Sequence, residues 1–333
     1  MSRTPRQQNE ACKELEIVIT DMAIYTRLNA VELETILAPY HIEVKSFAPV
    51  VGGNANSNYR IHGSDGEYML TIMEEKSLPE VQKLATLIQW LGEHRFLTPP
   101  VYPTATGEMV TQYAGKPVMV KKWIYGDVHE ELNADKLRQI GSAMARLHQI
   151  PAPVYLAKLP PYGDEFFSIV IGYGKDAMFE SWLDDRLRFF KENVPGKLPR
   201  GLIHGDVFFD NVLFENDQIK AIIDFEEVRN YYLISDLGMG VIGLCISEKK
   251  IDLTKVRNLV MGYERIRPLD ILEKESLKLF IEYAAVATSC WRYWKYNIYS
   301  SSLDLRNRHL EMFNIAENMI LLANDDFMQF VFE

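Results

Sequence analysis

The stretch Leu202-Ile203-His204-Gly205-Asp206-Val207-Phe208-Phe209-Asp210-Asn211-Val212-Leu213, closed by Ile222-Ile223-Asp224-Phe225, decides how this chain is read. Short apolar runs that read as buried strands frame a carboxylate, a carboxamide and a second carboxylate. Between them, Glu215-Asn216-Asp217-Gln218 is turn-forming and predicts a hairpin of two short strands. Such a hairpin would bring Asp206, Asn211 and Asp224 to one edge. An aspartate that accepts a proton, with an asparagine oxygen and a second carboxylate that hold a hard divalent cation, are the parts that phosphoryl transfer from ATP requires. The competing account is a hairpin whose Asp and Asn only make turns. It serves for any one of these residues and poorly for the ordered set.

His204-Gly205-Asp206 with Asp210-Asn211 resembles the catalytic loop of the aminoglycoside phosphotransferase and choline kinase superfamily, relatives of the protein kinases with His-Gly-Asp in place of His-Arg-Asp. Asp224-Phe225-Glu226 is similar to the metal-binding Asp-Phe-Gly segment with its Gly replaced. The resemblance implies Asp206 as the catalytic residue, Asn211 and Asp224 as Mg²⁺ ligands, and ATP as the phosphoryl donor. His204 reads as structural support. Asp236, in Asp236-Leu237-Gly238, matches the aspartate that anchors the catalytic loop through backbone hydrogen bonds.

Composition sets the bounds. A chain of 333 residues exceeds a usual single domain, so one large domain or two lobes around a cleft are the natural options. Its 47% hydrophobic and 25% charged residues are ordinary for a soluble globular protein. A formal net charge of -10 argues against nucleic acid or an anionic membrane as partner, because neutralising phosphates needs clustered Lys and Arg. It fits a small zwitterionic or cationic substrate, although a solvated acidic surface explains most of it. Cys12, Cys245 and Cys290 have no CxxC spacing and an odd count, so a reducing cytoplasm is the expected location. No run approaches the ~18 apolar residues of a membrane span. Residues 1–21 are polar and aperiodic and read as a partly ordered extension, with Met22-Ala23-Ile24-Tyr25-Thr26 resembling a second beginning.

From Asn29-Ala30-Val31-Glu32, a capping-box pattern, Leu33, Ile36 and Leu37 follow at helical spacing. Val44 to Val51 reads as a strand, and Gly52-Gly53-Asn54-Ala55-Asn56-Ser57-Asn58 then changes character before a second strand. Backbone N–H groups of such a loop can cradle phosphates, which makes Gly52, Gly53, Asn54, Asn56, Ser57 and Asn58 candidate nucleotide contacts; turn formation alone explains the same composition. Glu67 to Met73 reads as a third strand, where the resemblance leads one to expect a phosphate-binding lysine and the chain carries Thr71. A helix is predicted from about Pro79 to Leu91, with Glu80 in its first turn favouring the dipole. The strand ending in Lys121-Lys122-Trp123-Ile124 resembles the hinge between lobes, where backbone groups of Lys122, Trp123 and Ile124 would read an adenine edge. An ordinary strand end is the alternative.

Beyond it the pattern turns helical. Leu137, Ile140, Met144 and Leu147 make an apolar stripe, after which His148 reads as a helix C-terminal residue suited to the dipole rather than a catalyst. Phe166 to Phe190 predicts amphipathic helices. Phe280, Tyr283, Ala284, Ala287 and Cys290 lie on another stripe, with Arg292 and Tyr296 as candidates to face the substrate and bind a carboxylate. Glu226 and Glu227 are candidates for a substrate ammonium, although neighbours on an extended strand face opposite ways.

These observations predict an α+β, two-lobed protein-kinase-like fold. Residues 22–122 would form a β-rich nucleotide-binding lobe and 123–333 a helical catalytic and substrate lobe. Asn56-Ser57-Asn58-Tyr59 and Tyr68-Met69-Leu70-Thr71 are similar to the homoserine kinases of this superfamily, which implies L-homoserine as acceptor; another amino alcohol, a choline-like molecule or an aminoglycoside is the alternative. A protein kinase is disfavoured because no Ala-Pro-Glu segment follows Asp224. Thr71 keeps a nucleotide-binding pseudokinase open.

Overall fold

The computed structural model describes residues 26–50, 56–160, 162–299 and 303–333. The predicted extension, the second beginning as far as Tyr25, Cys12, and Gly52, Gly53 and Asn54 lie outside the described residues. The chain divides into two compact units between Ile124 and Tyr125.

The first unit opens with helix α1 (Ala30–Leu37), whose N-cap Asn29 accepts from Glu32 N while Glu32 reaches back to Asn29 N, the reciprocal box read from the sequence. Strands β1 (Val44–Pro49), β2 (Asn56–Gly63) and β3 (Glu67–Met73) are joined on the edge by β4 (Thr111–Tyr113) and β5 (Lys116–Lys122). All pairings are antiparallel, in the order β1-β2-β3-β5-β4. Helix α2 (Leu78–Glu93) follows β3; Glu80 closes a capping box on Ser77, the dipole-favouring role expected of it. Leu33, Leu37, Ile61, Leu70, Ile72, Val118 and Val120 fill this unit's core.

Strand β6 (Asp127–Val128) opens the second unit, followed by α3 (Ala134–His148), α4 (Asp164–Ile171) and α5 (Ala177–Asn193). Then come β7 (Arg200–Ile203), β8 (Val212–Glu215), β9 (Gln218–Ile222) and β10 (Arg229–Tyr232). The remainder is α6 (Leu233–Leu244), the two-residue strands β11 (Ile246–Ser247) and β12 (Lys250–Ile251), α7 (Leu253–Glu264), α8 (Ile271–Tyr293), a π-helical turn over Trp294–Tyr299, α9 (His309–Leu321) and α10 (Asn324–Phe332). The helical stripes became the core: Leu137, Ile140, Met144 and Leu147 are buried on α3, and Phe280, Ala284, Ala287 and Cys290 on α8. Cys245 and Cys290 are buried packing residues without a disulfide. Helices α6 and α8 touch main chain to main chain at Gly238, where a Cβ would lie 2.5 Å from Phe280 O. Among the described residues, no helix is long and apolar enough to cross a membrane.

The predicted hairpin is present. Glu215 pairs with Gln218, and Asn216 and Asp217 both have positive φ, 50° and 60°, the twist that a tight two-residue turn demands. Register then places Val212 opposite Ile222, so that Asn211 and Ile223 flank the same end of the ladder.

Candidate active site

The catalytic-loop residues sit where two strand pairs meet. His204 leaves β7, and Gly205 turns the chain with φ 84°. A Cβ at Gly205 would lie 2.6 Å from Glu227 O, so both the conformation and the space require glycine. Asp206 follows, partly buried. Asn211, on a 3₁₀ turn over Phe209–Asn211, donates through Nδ2 to Asp206 O at 2.9 Å and to Asp206 Oδ2 at 3.3 Å. With its amide hydrogens turned to Asp206, Asn211 keeps Oδ1 as the atom able to ligate. Asp224 is exposed just beyond β9 in the left-handed conformation, φ 65°, which aspartate tolerates better than most residues. Burial, then the charges of Asp224, Glu227 and Asp210, pushes the Asp206 carboxyl up to about 8. These carboxylates therefore share one region of negative potential.

Asp236, from the first turn of α6, holds the loop from beneath. Its Oδ2 accepts from His204 N at 2.9 Å and its Oδ1 from Gly205 N at 2.7 Å. Burial alone would raise Asp236, but the hydrogen bonds from His148 and the loop, with the nearby His204, keep its carboxyl below the usual range. His204 is fully buried; its Nε2 meets Ile223 O at 2.9 Å, its ring packs on Phe225, and burial lowers its affinity for a proton. His204 thus ties the catalytic loop to the segment after β9 that carries Asp224.

His148 is the last residue of α3, the helix C-terminal position expected of it, and it has a further role. It is buried, with Nε2 3.0 Å from Asp236 Oδ2 and Nδ1 2.7 Å from Tyr263 Oη. Since a carboxylate can only accept, Nε2 carries a proton and donates to Asp236, while Nδ1 and Tyr263 Oη share a hydrogen bond. Arg267 donates in turn to Tyr263 Oη and pairs with the buried Glu273, which caps α8. A continuous series of hydrogen bonds therefore runs from the start of α8 to the catalytic loop. The partner of His148 lies 88 positions away in sequence, which hid it.

The candidates in the first unit separate by strand parity. Ser57 is fully buried and its hydroxyl is committed within the unit, donating to Glu74 Oε1 at 2.5 Å and accepting from Thr26 N at 2.9 Å. Lys116 completes that cluster by pairing with Glu74. The Ser57 side chain is therefore a structural anchor. Asn56 and Asn58 occupy the other face of β2 and are half-buried. Thr71 is buried and donates to Asn58 Oδ1 at 2.8 Å, so at the expected lysine position the chain has a strand-to-strand contact. At the expected hinge, Lys122 N donates to Pro100 O and Trp123 N to Glu67 O, both at 3.0 Å. The Lys122 ammonium lies over Tyr68 and Tyr102, and the Trp123 ring lies under Arg60. Neither N–H is available to an adenine edge, which narrows that expectation to Ile124 and to carbonyls.

Arg292 and Tyr296 are not placed as expected. Arg292 donates to Glu311 Oε2 at 2.8 Å and to Arg308 O, so the carboxylate it holds belongs to α9. Tyr296 is buried in the π-helical turn and packs on Trp291. Glu226 and Glu227 lie in a turn rather than an extended strand, and both are half-buried. Two residues that sequence reasoning missed lie close by. Arg229 pairs with Glu227 at 3.2 Å. Burial, then the charges of Glu227, Asp206, Arg229 and Asp224, raises the phenol of Tyr162.

A buried, doubly anchored loop that carries an oriented aspartate beside a carboxamide and a second carboxylate is the signature of a phosphotransferase of the kinase class. The chain belongs to the APH phosphotransferase enzyme family, whose family model matches residues 46–269, and it is a small-molecule kinase. It is 28% identical over 274 residues to the homoserine kinase of Bartonella henselae, covering 80% of this chain and 86% of that one. Identity with the homoserine kinase of Gluconobacter oxydans is 30% over 280 residues, covering 80% and 87%. Among solved structures, the amicoumacin kinase hAmiN, in complex with AMP-PNP, Ca²⁺ and Ami, superposes with a TM-score of 0.73 at 15% identity, covering 94% of this chain and 98% of that one. At that identity the likeness speaks for the fold alone.

Proposed function

We propose that the protein transfers the γ-phosphate of ATP to the hydroxyl of L-homoserine, with Mg²⁺ as the metal. The observation that carries the chemistry is the orientation of Asp206 by Asn211 on a loop pinned by Asp236. The homoserine kinases that match most of the chain support the choice of acceptor.

The donor set suits a hard cation. Asn211 Oδ1 and the Asp224 carboxylate are oxygen ligands. Among the described residues no group of three or more His, Cys, Asp or Glu side chains converges to hold an ion, so one here would complete its shell from phosphate and water, as Mg²⁺ commonly does. When bound, the ion neutralises charge building on the phosphates. The rest falls to the chain. Asp206 accepts or orients the proton of the acceptor hydroxyl, Asn211 restricts the rotation of Asp206, and Asp236 fixes the loop so that little reorganisation is needed at the moment of transfer. Gly52, Gly53, Asn54, Asn56, Asn58 and Ile124 are the nucleotide contacts in this reading, and Glu226 with Glu227 the groups that meet the substrate ammonium.

ADP release measured over L-homoserine, L-serine, choline and an aminoglycoside tests the assignment, with mass detection of the phosphorylated product. L-Homoserine is expected to give the highest kcat/KM, and Asp206→Asn to lower kcat by about 10²–10⁴-fold while AMP-PNP still binds. Turnover confined to choline or the aminoglycoside would replace the acceptor. No turnover alongside nucleotide binding would make the chain a pseudokinase.

A further inference from the structure

Beside the catalytic loop, Glu227 has been read as meeting the substrate ammonium, and the residue it pairs with, Arg229, has no part in the phosphoryl chemistry. Strand β10 runs antiparallel to β7, and its register sets Arg229 opposite Ile203, three residues before Asp206. Glu227 precedes it by two, and its carbonyl packs directly on Gly205. Both side chains are therefore placed by main-chain contacts with the motif itself. Arg229 donates through Nη2 to Glu227 Oε2 at 3.2 Å and through Nη1 to Val228 O at 2.9 Å. The two side chains are 25% and 27% exposed, enough to be reached by a small molecule and buried enough to be little screened.

The contact between them is single-point, although a guanidinium can offer a carboxylate two parallel donors. Tyr162 lies within electrostatic reach of the pair. Its carbonyl accepts from Tyr283 Oη, its ring packs on Phe166 and Trp291, and its phenol feels Glu227, Asp206, Arg229 and Asp224 together. A cation and an anion held side by side complement a molecule with the opposite pair side by side.

We propose that Glu227 and Arg229 form the specificity-determining pair, Glu227 taking the α-ammonium and Arg229 the α-carboxylate of an amino-acid alcohol whose hydroxyl is presented to Asp206. Arg229 then takes the carboxylate-binding role that Arg292 does not fill, and the enzyme selects a zwitterion over a plain amine. This inference rests on the phosphotransferase reading above and adds to it the groups that read the acceptor.

Matched acceptors separate the charges. 3-Aminopropan-1-ol is L-homoserine without its carboxylate, and L-homoserine methyl ester keeps the skeleton with that charge removed. The wild-type enzyme is expected to prefer L-homoserine over 3-aminopropan-1-ol by about 100-fold or more in kcat/KM, because a site built for a charged group rejects an analogue lacking it. In Arg229→Gln that ratio falls to within about tenfold, mainly through KM for L-homoserine, while Arg229→Lys lies between. A wild-type ratio near one, or a ratio unchanged in Arg229→Gln, overturns the proposal. Should Arg229→Gln fail to fold, the methyl ester decides on the wild-type enzyme: turnover equal to that of L-homoserine overturns it. Loss of the ratio in Arg229→Gln for a different amino-acid alcohol, such as L-serine, would uphold the pair and replace homoserine. Homoserine turnover with an unchanged ratio would do the reverse.

Discussion

Replacing Asp236 by Asn changes one atom of a side chain that touches no substrate, and both stability and turnover are expected to fall. The carboxylate accepts three hydrogen bonds, from His204 N, Gly205 N and His148 Nε2, and it is fully buried. An asparagine has one acceptor oxygen. Whichever way the amide is turned, its NH₂ faces at least one buried donor that then has no acceptor. Each such loss costs ~1–3 kcal/mol, and more where the lost bond was charge-assisted, so a total of about 2–4 kcal/mol follows. For a unit of about 200 residues this corresponds to a fall in Tm of roughly 5–15 °C. Since the same bonds hold the loop that carries Asp206, kcat should drop by about tenfold or more even for the folded fraction. Acid provides a second readout with a definite sign. The Asp236 carboxyl is held below its unfolded value of about 3.9, so its contribution is fully present above that pH and is lost as pH falls through the folded value. The stability gap between wild type and Asp236→Asn should therefore narrow below about pH 4. Scanning calorimetry at several pH values, with initial rates at pH 7, measures all three quantities. A variant that melts within 2 °C of wild type with unchanged kcat would refute this account of the loop.

Two further outcomes test the site from other directions. Asp224→Ala should raise the Kd for metal-bound AMP-PNP at least about tenfold by calorimetry while metal-free AMP-PNP binds nearly as before, because the lost group contacts the ion; equal Kd values would remove Asp224 from the metal site. Gly205→Ala forces a side chain into a left-handed residue and against Glu227 O, and should cost at least about 2 kcal/mol in urea unfolding together with most of the activity, whereas Gly196→Ala, with open space around it, should cost little.

What the sequence made legible was chemistry written contiguously. Asp206, Asn211 and Asp224 lie within one hairpin and its approach, so their convergence followed from local turn chemistry at Asn216 and Asp217. The helical stripes were equally readable, because burial imposes a period. Partnership across the chain was not readable. Ser57 looked like part of a phosphate loop, and only strand pairing shows that it faces Glu74 while Asn56 and Asn58 face the other way. Lys122 and Trp123 looked like a hinge with backbone to spare, and their N–H groups are used by Pro100 and Glu67. Arg292 offered a fork in the right kind of helix, but Glu311 on the next helix already occupies it. Arg229 passed unnoticed because its significance lies in facing Ile203, a matter of register rather than composition.

The contact of Gly205 with Glu227 also bears on length. Main chain touching main chain fixes the span from the group that receives a hydroxyl to the group that holds an amine, with no flexible side chain at the joint to absorb an error. On the reading proposed here, the pocket becomes a ruler as well as a charge reader. An acceptor one methylene shorter, serine, or one longer, 5-hydroxynorvaline, would carry the right charges and still present its oxygen in the wrong place.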